Sequence, residues 1–210
     1  MRRLTAILFG VVITFGAACG GGNGPFASTM TAAQIALQDH DLSGFTRCPQ
    51  SGSIASVLET LRAGGDSHDT ENLSTGLAAA KELGFADGVY VGYASDPASC
   101  SSTLFGSGDT FSLHEKWWLC MVVKFKNSDA AKTAYTNGLF LFGFTPDSYS
   151  KLGGGHQGVQ TGFGTTSYTT EVFSEYFAYV AKGNVLIEMG GGNQFEFEAA
   201  IVAKKVYQRA

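Results

Sequence analysis

The chain reads as an α+β protein, an antiparallel sheet with helices packed on it, and three features of its sequence lead to that class. The apolar spacing over residues 53–83 is helical, it changes to alternation over 89–126, and two tight-turn or helix-stop signals, Asn137-Gly138 and Gly183-Asn184, divide the remainder of the chain. Short strands joined by tight turns favour antiparallel pairing, and strands that are apolar on both faces call for helical cover.

A helix is expected over residues 28–40. A second runs over 53–63, where Ile54, Val57, Leu58 and Leu61 share one face and Gly64-Gly65 ends the run. A third spans 72–83, with Leu73, Leu77, Ala80 and Leu83 on a stripe and Gly84 as its C-terminal cap. Val89, Val91 and Tyr93 then alternate in a strand that stops before Asp96-Pro97. Residues 116–126 form the clearest strand. Trp117, Leu119, Met121, Val123 and Phe125 point one way, Trp118, Cys120 and Val122 the other, so both faces need cover and the strand is central.

Ser128 is expected to cap a helix through Tyr135, stopped by Asn137-Gly138. Strands come next at 168–173, 176–181 and 185–189, the last two joined by Gly183-Asn184, which supplies the positive φ of a tight hairpin. Asn193 and Glu196 form a capping pair for a last helix that aligns Phe195, Ala199, Val202 and Val206. Residues 88–137 read as two strands and a helix, and residues 168–208 end in the same order after one more strand, a ββα pseudo-repeat without residue identity. The layout resembles, in architecture alone, the extracytoplasmic sensor-type domains of some bacterial envelope proteins.

The first residues carry a separate message. Met1-Arg2-Arg3 is cationic, and Leu4 to Gly16 is nearly free of polar side chains but too short to span a bilayer, which takes about 20 residues. Gly16-Ala17-Ala18-Cys19 comes directly after. This arrangement resembles the lipobox of bacterial lipoproteins, which implies cleavage before Cys19 and acylation of its thiol. Gly16 stands where such sites usually have leucine, and the small residues also suit plain cleavage after Ala18. The division expected is a signal peptide over 1–18, a lipidated flexible tether over 19–27 rich in glycine, and one domain over 28–210. Two or more acyl chains would hold such a protein stably at a membrane.

Cleavage takes Arg2 and Arg3 from the 14 basic residues, leaving 12 against 18 acidic, a formal −6. That balance argues against nucleic acid as a partner. Apart from Cys19, three cysteines remain. Sequence allows three pairings; Cys48 and Cys100 lie in loop contexts that adapt to disulfide geometry, while Cys120 sits within an apolar strand, and this favours Cys48–Cys100.

Catalytic and cofactor signatures fare poorly. Gly153 to Gly158 matches G-x-G-x-x-G without the strand before it or helix after it that dinucleotide binding needs, so it reads as a flexible loop. Gly190-Gly191-Gly192 could offer amides to an anion, but reads better as a sharp connection from strand to helix. His40, His68, His114 and His156 lack metal-ligand spacing, and Ser148-x-x-Lys151 falls in a loop. Neither a cofactor nor a metal is expected. A possible ligand surface is assembled from Phe140, Phe142 and Phe144, with His156 and Trp118; core packing is the competing account of the Leu139–Phe144 run and of the Trp117-Trp118 pair. The reading is a non-catalytic, membrane-anchored envelope lipoprotein that binds a ligand or partner protein. The alternative is an exported hydrolase whose site is assembled from distant residues.

Overall fold

The computed structural model describes residues 27–65, 67–100, 116–141, 145–151, 155–172, 175–193 and 196–210. Among the described residues, eight strands make one antiparallel sheet: β1 (Thr46–Arg47), β2 (Gly52–Ser53), β3 (Phe85–Ala94), β4 (Trp117–Phe125), β5 (His156–Gln157), β6 (Ser167–Val172), β7 (Glu175–Lys182) and β8 (Val185–Gly192). Their order is β1-β3-β4-β8-β7-β6-β5, with β2 also paired to β3. The described helices are α1 (Ala32–Ile35), α2 (Ile54–Gly64), α3 (Ser67–Glu82), α4 (Ser128–Thr136), α5 (Pro146–Lys151) and α6 (Glu196–Arg209). The fold class is the α+β arrangement expected.

β4 is central, between β3 and β8. Its two faces enter two separate cores. On the α6 face, Trp118, Cys120 and Val122 pack with α1 and α6 through Ile35, Ala199, Ala203 and Val206. On the α4 face, Met121, Val123 and Phe125 pack with α2, α3 and α4 through Val57, Leu61, Leu77 and Ala131. Alternation decides the layering, since each residue step along a strand flips the side chain to the other core.

The strands of the expected ββα repeat are present as β3-β4 and β7-β8 on either side of the sheet centre. A two-fold rotation that superposed them would leave their helices on one face. Instead α4 lies on one face and α6 on the other, so the units are not symmetry mates.

Several boundaries differ from expectation, each for a tertiary reason. The helix expected over 28–40 is one turn of α1, capped by a Thr31–Gln34 box, followed by a 3-10 turn over Asp39–Asp41. Its continuation would need the carbonyls of Ile35 and Ala36 as acceptors, but Arg209 occupies both, at 3.0 and 2.9 Å. α3 starts at Ser67, with Asp69 in the first turn where the dipole favours a carboxylate. The cap of α4 is Asn127, whose side chain accepts from Ala130 N at 2.9 Å, and Ser128 is the first helical residue. α6 runs from Glu196, and Asn193 has φ 55 where a cap is usually extended.

Gly190-Gly191-Gly192 is neither an anion nest nor a connection. It is the end of β8, paired residue for residue with Leu119, Trp118 and Trp117. A Cβ on Gly191 would come within 2.9 Å of the Trp118 ring, and one on Gly192 would fall inside the indole of Trp117. The tryptophan pair therefore requires the glycines, one ring lying on each face.

Cys48 and Cys100 form a disulfide with Cα atoms 5.2 Å apart, and Cys120 is a free, buried thiol. The bridge ties the turn after β1 to the chain after a 3-10 turn over Pro97–Ser99.

Candidate functional site

Of the residues expected to share a ligand surface, the described ones, Trp118, Phe140 and His156, are not brought together. Trp118 is buried at 1% exposure in the α6-face core. His156 is exposed on β5, four strands away at the sheet edge. Phe140 has φ 69 and turns inward: its ring fills the space that a Cβ on Gly76 would need, packing against the α4-face core. Leu139 and Leu141 beside it are buried. Phe142, Phe144, His114 and the acylation position Cys19 lie outside the described residues. Core packing thus accounts for Trp118 and for residues 139–141.

A cleft does open near the predicted stretch. It holds about 290 Å³ and is lined by Tyr135 and Thr136 at the end of α4, Pro146 and Asp147 at the start of α5, Gln157 in β5 and Gly158 just after it, and Thr165 and Ser167 before and at the start of β6. Among the described residues of the lining, Tyr135 is the one aromatic side chain. The local hydrogen bonds explain the polar shape of the cleft. Gln157 Nε2 donates to Pro146 O at 2.9 Å, tying β5 to α5. The Ser167 hydroxyl bonds Gly158 O and Gly164 O at 3.1 and 2.6 Å, folding the 3-10 turn Gly158–Thr161 back on β6.

Tyr135 is the large ring of the described lining. One of its faces stacks on Tyr179 at 5.2 Å between centroids, and burial pushes its hydroxyl up to about 12, with Tyr168 adding to the rise. It is therefore a neutral hydrogen-bonding phenol at any physiological pH. Tyr179 is fixed from behind, its hydroxyl donating to Ala134 O and Leu139 O at 3.2 and 2.8 Å. Asp147 pairs with Lys151 at 2.6 Å, which leaves the rim without excess charge. The described lining offers hydroxyl, amide and carboxylate groups around the Tyr135 ring.

A second feature was missed in the sequence: Glu188, in the middle of β8. Its Oε2 is buried without a hydrogen-bond partner, and burial raises its carboxyl to about 8. The only signal was one acidic residue inside Val-Leu-Ile-Glu-Met. Tyr90 and Tyr179 both feel its charge, after burial the largest influence holding their hydroxyls up.

Among the described residues no three His, Cys, Asp or Glu side chains gather to hold a metal ion. His40 and His156, whose side chains are described, are both exposed. No described helix is long and apolar enough to cross a membrane.

No family of known proteins matches the chain, and no curated protein is similar to it in sequence. Among solved structures it is similar to the extracellular domain of PknH from Mycobacterium tuberculosis. The TM-score is 0.48 at 12% identity, over 90% of this chain and 98% of that one. At that distance the likeness carries no argument about this chain.

Proposed function

We propose that the protein is an extracytoplasmic lipoprotein, acylated at Cys19, whose domain binds an envelope ligand or partner at the cleft between α4, α5 and β6. The observation that carries the reading is the Cys48–Cys100 bridge, because such bonds persist in oxidising compartments and are reduced in the cytosol. The lipobox-like start supplies the route out, and the glycine-rich segment after Cys19 supplies slack between anchor and domain. The cleft supports binding: it is concave and presents several convergent polar groups beside the Tyr135 ring, as ligand sites do.

Intact mass of the protein extracted from membranes tests the compartment and the anchor together. The expected species lacks residues 1–18, carries a diacylglyceryl adduct that Cys19→Ser abolishes, and is lighter by the two hydrogens of one disulfide. A chain starting at Met1, unacylated and with reduced thiols, overturns the proposal. The cleft is tested with Thr136→Trp, an exposed position whose indole would fill it. Soluble envelope fragments that raise the melting temperature of the natural protein should fail to do so in this variant. An equal rise in both places binding elsewhere.

A further inference from the structure

The α4 face of the sheet is covered unevenly. Met121, Val123, Tyr179, Ala181 and Leu186 are buried under helices, but Tyr90, Trp117, Leu119, Phe177, Glu188 and Gly190 are only half-buried. Strand register makes these six neighbours. One row across the sheet runs Tyr90, Met121, Glu188, Tyr179, and the next runs Leu119, Gly190, Phe177. The Trp117 ring lies over Gly190 and Gly192. The outcome is a shallow trough, floored by glycine and walled by apolar rings, with one carboxyl in it.

That carboxyl lacks what a buried acid normally has. Glu188 Oε2 is out of contact with solvent and has no hydrogen-bond donor, while the residue as a whole is half-buried. The titratable groups that sense it are Tyr90 on β3, Tyr179 on β7 and Cys120 on β4, and Asp69 acts on Tyr90 from α3. None of these groups is cationic. We propose that this trough binds a small protonated amine, whose ammonium donates to Glu188 while its carbon skeleton lies against Trp117, Leu119 and Phe177. An ammonium supplies both things the site lacks, an N–H donor and a positive charge, and the π faces around it favour a cation. A quaternary ammonium has no N–H to give. A hard metal ion would need several more oxygens than one carboxylate provides.

Burial raises the Glu188 carboxyl to about 8, so at neutral pH it is mostly protonated, and binding an ammonium expels that proton. Affinity therefore climbs roughly tenfold per pH unit up to about pH 8 and levels off above it. This inference does not rest on the cleft, and Thr136→Trp leaves it untouched.

The experiment is calorimetric titration of the full chain in detergent with 2-phenylethylamine and with 2-phenylethanol, its neutral counterpart of the same shape. The amine should bind at least tenfold tighter than the alcohol at pH 8, lose most of that advantage at pH 6, and lose it at both pH values in Glu188→Gln. Equal binding of amine and alcohol, no binding of either, or an undiminished preference in Glu188→Gln overturns the proposal. The pH series on the natural protein needs no variant, so a poorly folding Glu188→Gln does not spoil the test.

Discussion

Arg209→Met is the substitution whose cost the structure fixes best. Arg209 reaches from α6 to the N-terminal segment and holds Asp41 with two nitrogens, at 2.7 and 3.1 Å, besides its bonds to Ile35 and Ala36. The Asp41 side chain is 3% exposed and that of Arg209 is 20% exposed. The pair Asp147–Lys151 is as close, at 2.6 Å, but both its side chains are more than 70% exposed. Distance is equal, so burial decides. Removing Arg209 strands a carboxylate out of water and should cost about 3 kcal/mol, the low end for a broken buried pair, because Gln38 N still donates to Asp41 at 2.9 Å. Lys151→Met should cost less than about 0.5 kcal/mol.

Urea denaturation at pH 7 gives both numbers. Asp41→Asn added to Arg209→Met should recover part of the loss, since it removes the stranded charge. Burial raises the Asp41 carboxyl, but the hydrogen bonds from Arg209 and Gln38 and the Arg209 charge outweigh it and hold the group below its ordinary value. Its contribution is thus present above the unfolded value of about 4 and disappears as pH falls through the lower folded value, so the Arg209→Met deficit shrinks in acid. A loss below about 1 kcal/mol, well under the cost of a broken buried pair, or a double variant no more stable than Arg209→Met alone, would refute the account.

Three further outcomes rest on the packing. Reducing the Cys48–Cys100 bridge, which spans 52 residues, should remove about 4 kcal/mol by the chain-entropy relation, read as a fall in melting temperature with reductant that Cys48→Ser/Cys100→Ser reproduces. Gly191→Ala should cost about 2 kcal/mol, or roughly 4–8 °C, because Trp118 is fully buried and cannot retreat; Gly192→Ala should instead swing the half-buried Trp117 outward and shift tryptophan emission to longer wavelength. Cys120 is buried and its thiol is raised to about 12 by that burial, so in Cys19→Ser protein iodoacetamide at pH 8 should add nothing to the folded state and one adduct in urea, seen by mass.

Legible in the sequence was whatever neighbouring residues decide. The helical stripe of Ile54, Val57, Leu58 and Leu61, the two apolar faces of β4, and the Gly183-Asn184 hairpin are all local patterns, and each stands in the structure. The disulfide could be read from loop context at Cys48 and Cys100. The features that stayed hidden depend on partners far along the chain. Three glycines in a row argue against a strand until two indoles of another strand are seen to lie on them. The truncation of α1 depends on an arginine more than 170 residues away. The cleft joins segments from α4 to β6, and Glu188 gains meaning only from Tyr90, which is two strands over.

The contact between Arg209 and the segment around Ile35 also sets an order of events. A ribosome delivers residues 31–41 first and α6 last, yet α1 packs against α6 and β4, and β4 itself waits for β8 to complete the middle of the sheet. Strands β3 and β4 and helices α2 and α3 meet partners close by in the chain, whereas α1 gains its Arg209 clasp only when the last helix has been made.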